Sequence, residues 1–178
     1  PRPGPPPPEA LALLRRRAER LRAAPSDAAE DASLLWAAEF SLGEDTYAIA
    51  LDALRAAVPL RLVTPVPLSA PHVIGILRWQ GQMITAMSLA AMLDASGWRL
   101  DPAVLLVVDP GWGALTALDC EQIPKPTAYP RARVEEARAT TDGPVLPLLL
   151  PGEPRRRVQL IDLKRLLDRR RAEGRRDG

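Results

Sequence analysis

The sequence predicts an all-β fold built from small barrels with a few peripheral helices. Short apolar runs recur at close spacing with turn residues between them, the pattern of β-barrels and sandwiches. The stretch Pro71–Leu89, PHVIGILRWQGQMITAMSL, reads as a strand, a tight turn and a second strand. A chain of 178 residues is long enough for one compact domain or for two small barrels sharing a core.

The hairpin over 73–87 is the clearest element. Val73, Ile74, Ile76, Leu77 and Trp79 supply the β-branched and bulky side chains that strands bury. Gly81 sits where the chain must reverse, with Gln80 and Gln82 beside it, and Met83, Ile84, Ala86 and Met87 resume the apolar run. Gly75 inside a strand pattern predicts a bulge or a close backbone approach.

The remaining elements follow in order. Residues 1–8, PRPGPPPP, form an extended, disordered leader with no core to join. An amphipathic helix over residues 9–24 aligns Leu11, Leu14, Ala18 and Leu21 on one narrow face. Residues 25–33 are an acidic linker. The body runs over residues 34–168, beginning with a hairpin of Leu34–Phe40 and Thr46–Leu51 about Gly43-Glu44-Asp45. Asp52–Ala57 is a short connector, helical or extended, and Leu60–Pro67 reads as a strand at a proline-limited edge.

After the central hairpin, Ser88–Leu93 looks helical. Ala103–Val108 is a buried strand by its unbroken apolar run, turned through Pro110-Gly111-Trp112-Gly113 into Ala114–Leu118. Cys120–Ile123 opens a long connection through Pro124, Pro126 and Pro130. Val145–Leu150 and Arg157–Ile161 make a last hairpin, Leu163–Arg171 a basic terminal helix, and residues 169–178 a basic tail.

Composition narrows the function classes. Apolar residues make up 47% and aromatics only 4%, with Phe40 the one phenylalanine, so the core is expected from Leu, Val, Ile and Ala. The longest apolar run, Ala103–Val108, falls far short of the roughly 20 residues a membrane helix needs, so no membrane insertion is expected. The proline-rich start lacks the pattern of a signal peptide, and a cytoplasmic location is expected. A lone Cys120 excludes an internal disulfide and a cysteine-based zinc site. The net charge of +2 hides a partition. Six Arg against Glu9 and Glu19 give residues 1–22 a charge of +4, and ten basic against four acidic residues give 155–178 a charge of +6. The body over 23–154 carries −8.

The chain offers few convergent groups for chemistry. His72 is the one histidine and follows Pro71 in a loop, where a surface or turn role is expected rather than catalysis, and no second histidine exists for a metal site. Cys120 reads as a small buried hydrophobe. Asp109-Pro110-Gly111-Trp112-Gly113 has neither G-x-G-x-x-G nor G-K-[ST] and is a hairpin turn. Glu135-Glu136 and Glu30-Asp31 fall in loops or linkers, facing solvent. The body is acidic and poor in Phe and Tyr, against nucleic-acid binding by a strand face. No enzyme activity, cofactor or metal is expected.

The order of these elements resembles the CheW family, the adaptors of bacterial chemosensory arrays. The carriers are FSLGEDTYAIAL at 40–51, VTPVPLSAPHVIGILRWQGQMI at 63–84, LLVVDPGWGALTALDCEQI at 105–123 and VQLIDLKRLL at 158–167. The resemblance implies two SH3-like five-stranded β-barrels, here with an N-terminal amphipathic helix and a short C-terminal helix, and no catalysis. It implies an adaptor that couples a chemoreceptor's cytoplasmic tip to the regulatory domain of a CheA-type histidine kinase, and contact with other CheW-like subunits. By position, Leu54, Ala56, Ile74, Gln80 and Met83 would line the partner groove. The family usually carries arginine at Gln80, proline at Thr85, aspartate at Ser88 and glutamate at Ala56. These departures motivate an alternative: a diverged subunit that binds receptors or CheW-like domains but not the kinase. The basic ends leave open a tether to nucleic acid.

Overall fold

Alternation along the apolar runs decides which face of each strand meets which core. The computed structural model describes residues 32–95, 104–151 and 156–174. The leader, the helix expected over 9–24 and nearly all of the acidic linker lie outside the described residues, as do 152–155 and 175–178. The strands are β1 (Leu34–Leu42), β2 (Asp45–Ala50), β3 (Leu54–Pro59), β4 (Val73–Trp79) and β5 (Gln82–Met87). They continue with β6 (Val104–Val108), β7 (Thr116–Cys120), β8 (Lys125–Pro130), β9 (Val145–Leu150) and β10 (Arg156–Ile161). Three helices accompany them: α1 (Leu89–Met92), α2 (Arg131–Thr140) and α3 (Leu163–Gly174).

These strands form two five-stranded sheets, ordered β8-β1-β2-β10-β9 and β3-β6-β7-β5-β4. Both sheets repeat one plan. A hairpin (β1–β2 or β6–β7) meets a second hairpin (β9–β10 or β4–β5) through one parallel contact, β2 with β10 or β7 with β5. An antiparallel strand, β8 or β3, completes each first hairpin. In the second sheet the chain leaving β3 crosses to the far edge, where Thr64 pairs with Ile76 of β4.

Among the described residues, three apolar clusters make up the interior. The first joins both sheets: Phe40, Tyr47 and Ile49 from one meet Leu106, Val108 and Leu118 from the other, with α1 and Leu166 and Leu167 of α3. The second packs the opposite face of the first sheet under α2, around Tyr129, Leu146, Leu148 and Leu160. The third lies within the second sheet, around Leu77, Ile84, Leu105 and Val107. Val104, Leu106 and Val108 therefore face one core while Leu105 and Val107 face another, which is why this strand is an unbroken apolar run. Burying each such side chain contributes about 1.5–3 kcal/mol.

The central hairpin matches the expectation closely. Trp79 pairs with Gln82, leaving a two-residue turn in which Gln80 (φ 46°) and Gly81 (φ 80°) are both left-handed, as a type I′ turn requires. The register shifts between Val73 and Gly75, so the expected bulge is present. A Cβ on Gly75 would stand 2.3 Å from the Thr64 carbonyl oxygen, so the close approach is present too.

Several expectations are corrected. Leu60–Pro67 is not a strand: Leu60–Leu62 is a single 3-10 turn and only Thr64 bridges to β4, because Pro65 and Pro67 cannot donate to a ladder. The connector 52–57 divides into a 3-10 turn, Leu51–Ala53, and the start of β3. The proline-rich connection after Cys120 contains β8, an edge strand, where the missing N–H groups of Pro126 and Pro130 are tolerated. It continues into α2, which places Glu135 and Glu136 on a helix, exposed and paired with Arg138 and Arg133. That helix was hidden because it buries only Val134 and Ala137. Finally, α3 runs to Gly174, past the Arg171 expected as its end.

Candidate protein-docking site

A cleft of about 420 Å³ with three walls opens on the second sheet. Its floor is β5. Ile84 and Ala86 turn into the third core, while Met83, Thr85 and Met87 take the alternate face and line the cleft. Met83 is 61% exposed, which is unusual for so large an apolar residue.

The second wall is the turn between β6 and β7, contributing Trp112 and Leu115. Gly111 (φ 98°) and Gly113 (φ 82°) flank Trp112 and let the chain project it. Asp109 holds the turn by accepting from the Gly111 N–H at 2.9 Å and from Arg55 at 2.9 Å. The Gly111 N–H, and then Arg55, keep its carboxyl below the usual aspartate range.

The third wall is α3. Asp162 starts this helix by accepting from the Arg165 N–H at 3.1 Å. Leu163, Leu166 and Leu167 fall on one face and bury in the core shared by the sheets. Arg170 donates to the carbonyls of Ala91, at 3.3 Å, and Met92, and pairs with Asp94 at 3.7 Å, closing the C-terminus of α1. Arg171 lies over the Trp112 ring, its guanidinium carbon 4.8 Å from the centroid. The N-terminus of α1 is held by Ser88, which accepts from Ala91, and by Asp119, which accepts from the Leu89 N–H at 2.7 Å. Burial pushes the Asp119 carboxyl up.

The cleft is thus apolar at its floor, with His72, Arg170 and Arg171 at its margins and no carboxylate in its lining. Such a surface can seat apolar side chains. Among the described residues no cluster of three His, Cys, Asp or Glu is placed to hold a metal ion, and no helix is long and apolar enough to cross a membrane. Cys120 is buried, donates to the Gln122 carbonyl, and burial pushes its thiol up to about 12.

The five residues expected in a partner groove are dispersed. Met83 lines the cleft. Gln80 is exposed at the hairpin tip, outside the cleft lining. Ile74 and Ala56 are half-buried against the third core. Leu54 is only 3% exposed in the core shared by the sheets and offers no surface to a partner. Leu54 and Ala56 stand on β3 and Ile74 on β4, at opposite ends of the hydrogen-bonded order. Sequence reasoning missed Trp112, Met87, Arg170 and Arg171 as a set. A tryptophan between two glycines was the one local signal of a projected side chain; the arginines read as a tail.

The CheW-like domain family model matches residues 37–171. Among solved structures the chain is similar to the scaffolding protein TtCheW from Thermoanaerobacter tengcongensis, at a TM-score of 0.61 and 16% identity. That match covers 74% of this chain and 91% of the other. A sequence search among curated proteins found no match. A family match spanning both sheets and α3, with a solved relative of the same fold, leads to one conclusion: this chain belongs to the CheW-like domain family.

Proposed function

We propose that the protein is a non-catalytic adaptor of a chemosensory pathway, working in the cytoplasm. In this reading each sheet curls about its own core as an SH3-like barrel. The cleft of Met83, Trp112 and α3 takes the helical tip of a chemoreceptor, and a CheA-type kinase regulatory domain binds at a strand edge. The observation that carries the reading is Met83, a large apolar side chain held 61% exposed at the floor of a cleft within a CheW-like domain. Calorimetric titration of the whole chain against a receptor tip and a kinase regulatory domain tests it. Binding of both, with receptor binding lost in Met83→Glu, is expected. A folded protein that binds neither disposes of it.

A second reading has specific support. Gln80 is exposed without a charge, Thr85 lines the cleft, and Ser88 is occupied as the cap of α1. A subunit that binds receptors or CheW-like domains but not the kinase accounts for these substitutions. Receptor binding without kinase binding in the same titration selects it. A nucleic-acid tether has less support, since Arg170 is committed to the carbonyls at the end of α1.

A further inference from the structure

The occupant of the cleft can be narrowed by what its floor and margins allow. β5 is hydrogen-bonded to β4 on one side and β7 on the other, and β7 is flanked by β6 and β5. No strand can add to this surface. A helix satisfies its own N–H and C=O groups and can lie on such a surface without a strand edge to pair with.

The charges are one-sided. Arg171 stands at one margin over Trp112. Arg78 is the direct cross-strand partner of Met83 and therefore stands beside it on the same sheet face, outside the cleft lining. Among the described residues neither Arg78 nor Arg171 is ion-paired, whereas Arg170 is held by Asp94 and α1. Met83, Met87 and Leu115 thus form an apolar patch with Arg171 in the same cleft and Arg78 next to Met83 on the sheet face.

We infer that the cleft recognises an acidic amphipathic helix of a protein partner. An apolar side chain seats on Met83, Met87 and Leu115, and flanking carboxylates meet Arg171 and Arg78. The inference rests on the docking reading above and adds to it the charge of the partner. Discrimination against a basic helix follows from the same two arginines, because like charges at a rim oppose encounter.

The test uses three synthetic helical peptides with one identical leucine face, flanked by glutamate, glutamine or lysine. Each is titrated into the full chain at low and at moderate salt. The glutamate peptide is expected to bind roughly threefold to tenfold tighter than the glutamine peptide, as two exposed charge pairs allow, and to lose that margin with salt. Arg171→Glu and Arg78→Glu, each checked for an unchanged circular dichroism spectrum, should shift preference toward the lysine peptide. Equal affinities for the three peptides, or no binding of any, overturn the inference. So does a single-stranded DNA oligomer that competes for the same arginines and binds more tightly than the glutamate peptide. A receptor tip that binds wild type and Arg171→Glu alike sinks the inference and leaves the adaptor reading standing. Glutamate-peptide preference without receptor or kinase binding does the reverse.

Discussion

The guanidinium carbon of Arg171 lies 4.8 Å from the centroid of the Trp112 ring, fastening the last helix to the turn between β6 and β7. The contact is partly exposed, and pairs of that kind contribute about 0.5–1 kcal/mol. Arg171→Ala should lower unfolding stability by about that amount. A double-mutant cycle with Trp112→Leu in urea should return a coupling energy of the same size.

Met83 and Leu54 should respond oppositely to charge. Met83 is 61% exposed and Leu54 3% exposed. Met83→Glu should leave the melting curve almost unchanged and remove binding to an acidic helix. Leu54→Arg buries a charge without a partner, a loss of several kcal/mol, and should leave little folded protein. Thermal melts of the two variants check this directly.

Gly75→Ala should be severely destabilising. The added Cβ would fall 2.3 Å from the Thr64 oxygen and 2.7 Å from Val63 Cγ1. A loss of roughly 3 kcal/mol is expected from overpacking combined with backbone strain. Gly81→Ala, with open space around its Cβ, should lose less, through its left-handed φ alone.

Asp119 should show its burial through pH. Its folded pKa is raised above the unfolded value, chiefly by burial, so the folded state holds the proton more tightly. The associated stability is fully present below the ordinary aspartate range and is lost as pH rises through the raised folded value. Asp119→Asn keeps an acceptor for the Leu89 N–H and should be at least as stable as wild type at neutral pH, the advantage vanishing in acid. Asp119→Ala leaves that N–H unpaired and should cost about 1–3 kcal/mol.

Alkali should unfold the protein through Cys120 and Tyr129, both pushed up to about 12 by burial. Their contribution is intact below the ordinary thiol and phenol ranges and falls away as pH climbs toward 12. Chemical denaturation at stepped pH should show a decline above roughly pH 9, shallower in Cys120→Ala. Tyr129→Phe should also lose the hydroxyl donated to Glu39, at about 1 kcal/mol.

The sequence exposed those parts of the fold whose signals are local. The run Val104–Val108 reads as a strand because both of its faces are buried, and the Gln80-Gly81 turn because left-handed geometry favours glycine. β8 was illegible because its prolines are permitted only by its edge position, which is a property of the assembled sheet. α2 was illegible because two buried residues make no stripe. In the candidate site, Met83 was legible as an apolar residue on a half-exposed strand. The Arg171–Trp112 contact was not, since it joins positions distant in the chain. Leu54 was misplaced for a related reason: alternation says that a leucine faces inward, but not which of two cores it enters.

The plan of the two sheets also fixes an order of assembly. All five strands of the second sheet, β3 through β7, are contiguous in the chain and can pair while the polypeptide is still emerging. The first sheet cannot. Its β1–β2 hairpin must wait for β10, since Tyr47–Ile49 lie parallel to Gln159–Ile161 and close a very long loop. Loop-closure entropy grows only logarithmically with length, but delay during synthesis grows in proportion. Until β10 emerges, β2 presents an unpaired apolar edge, so the interval before that strand is made is when this protein is most exposed to misassembly.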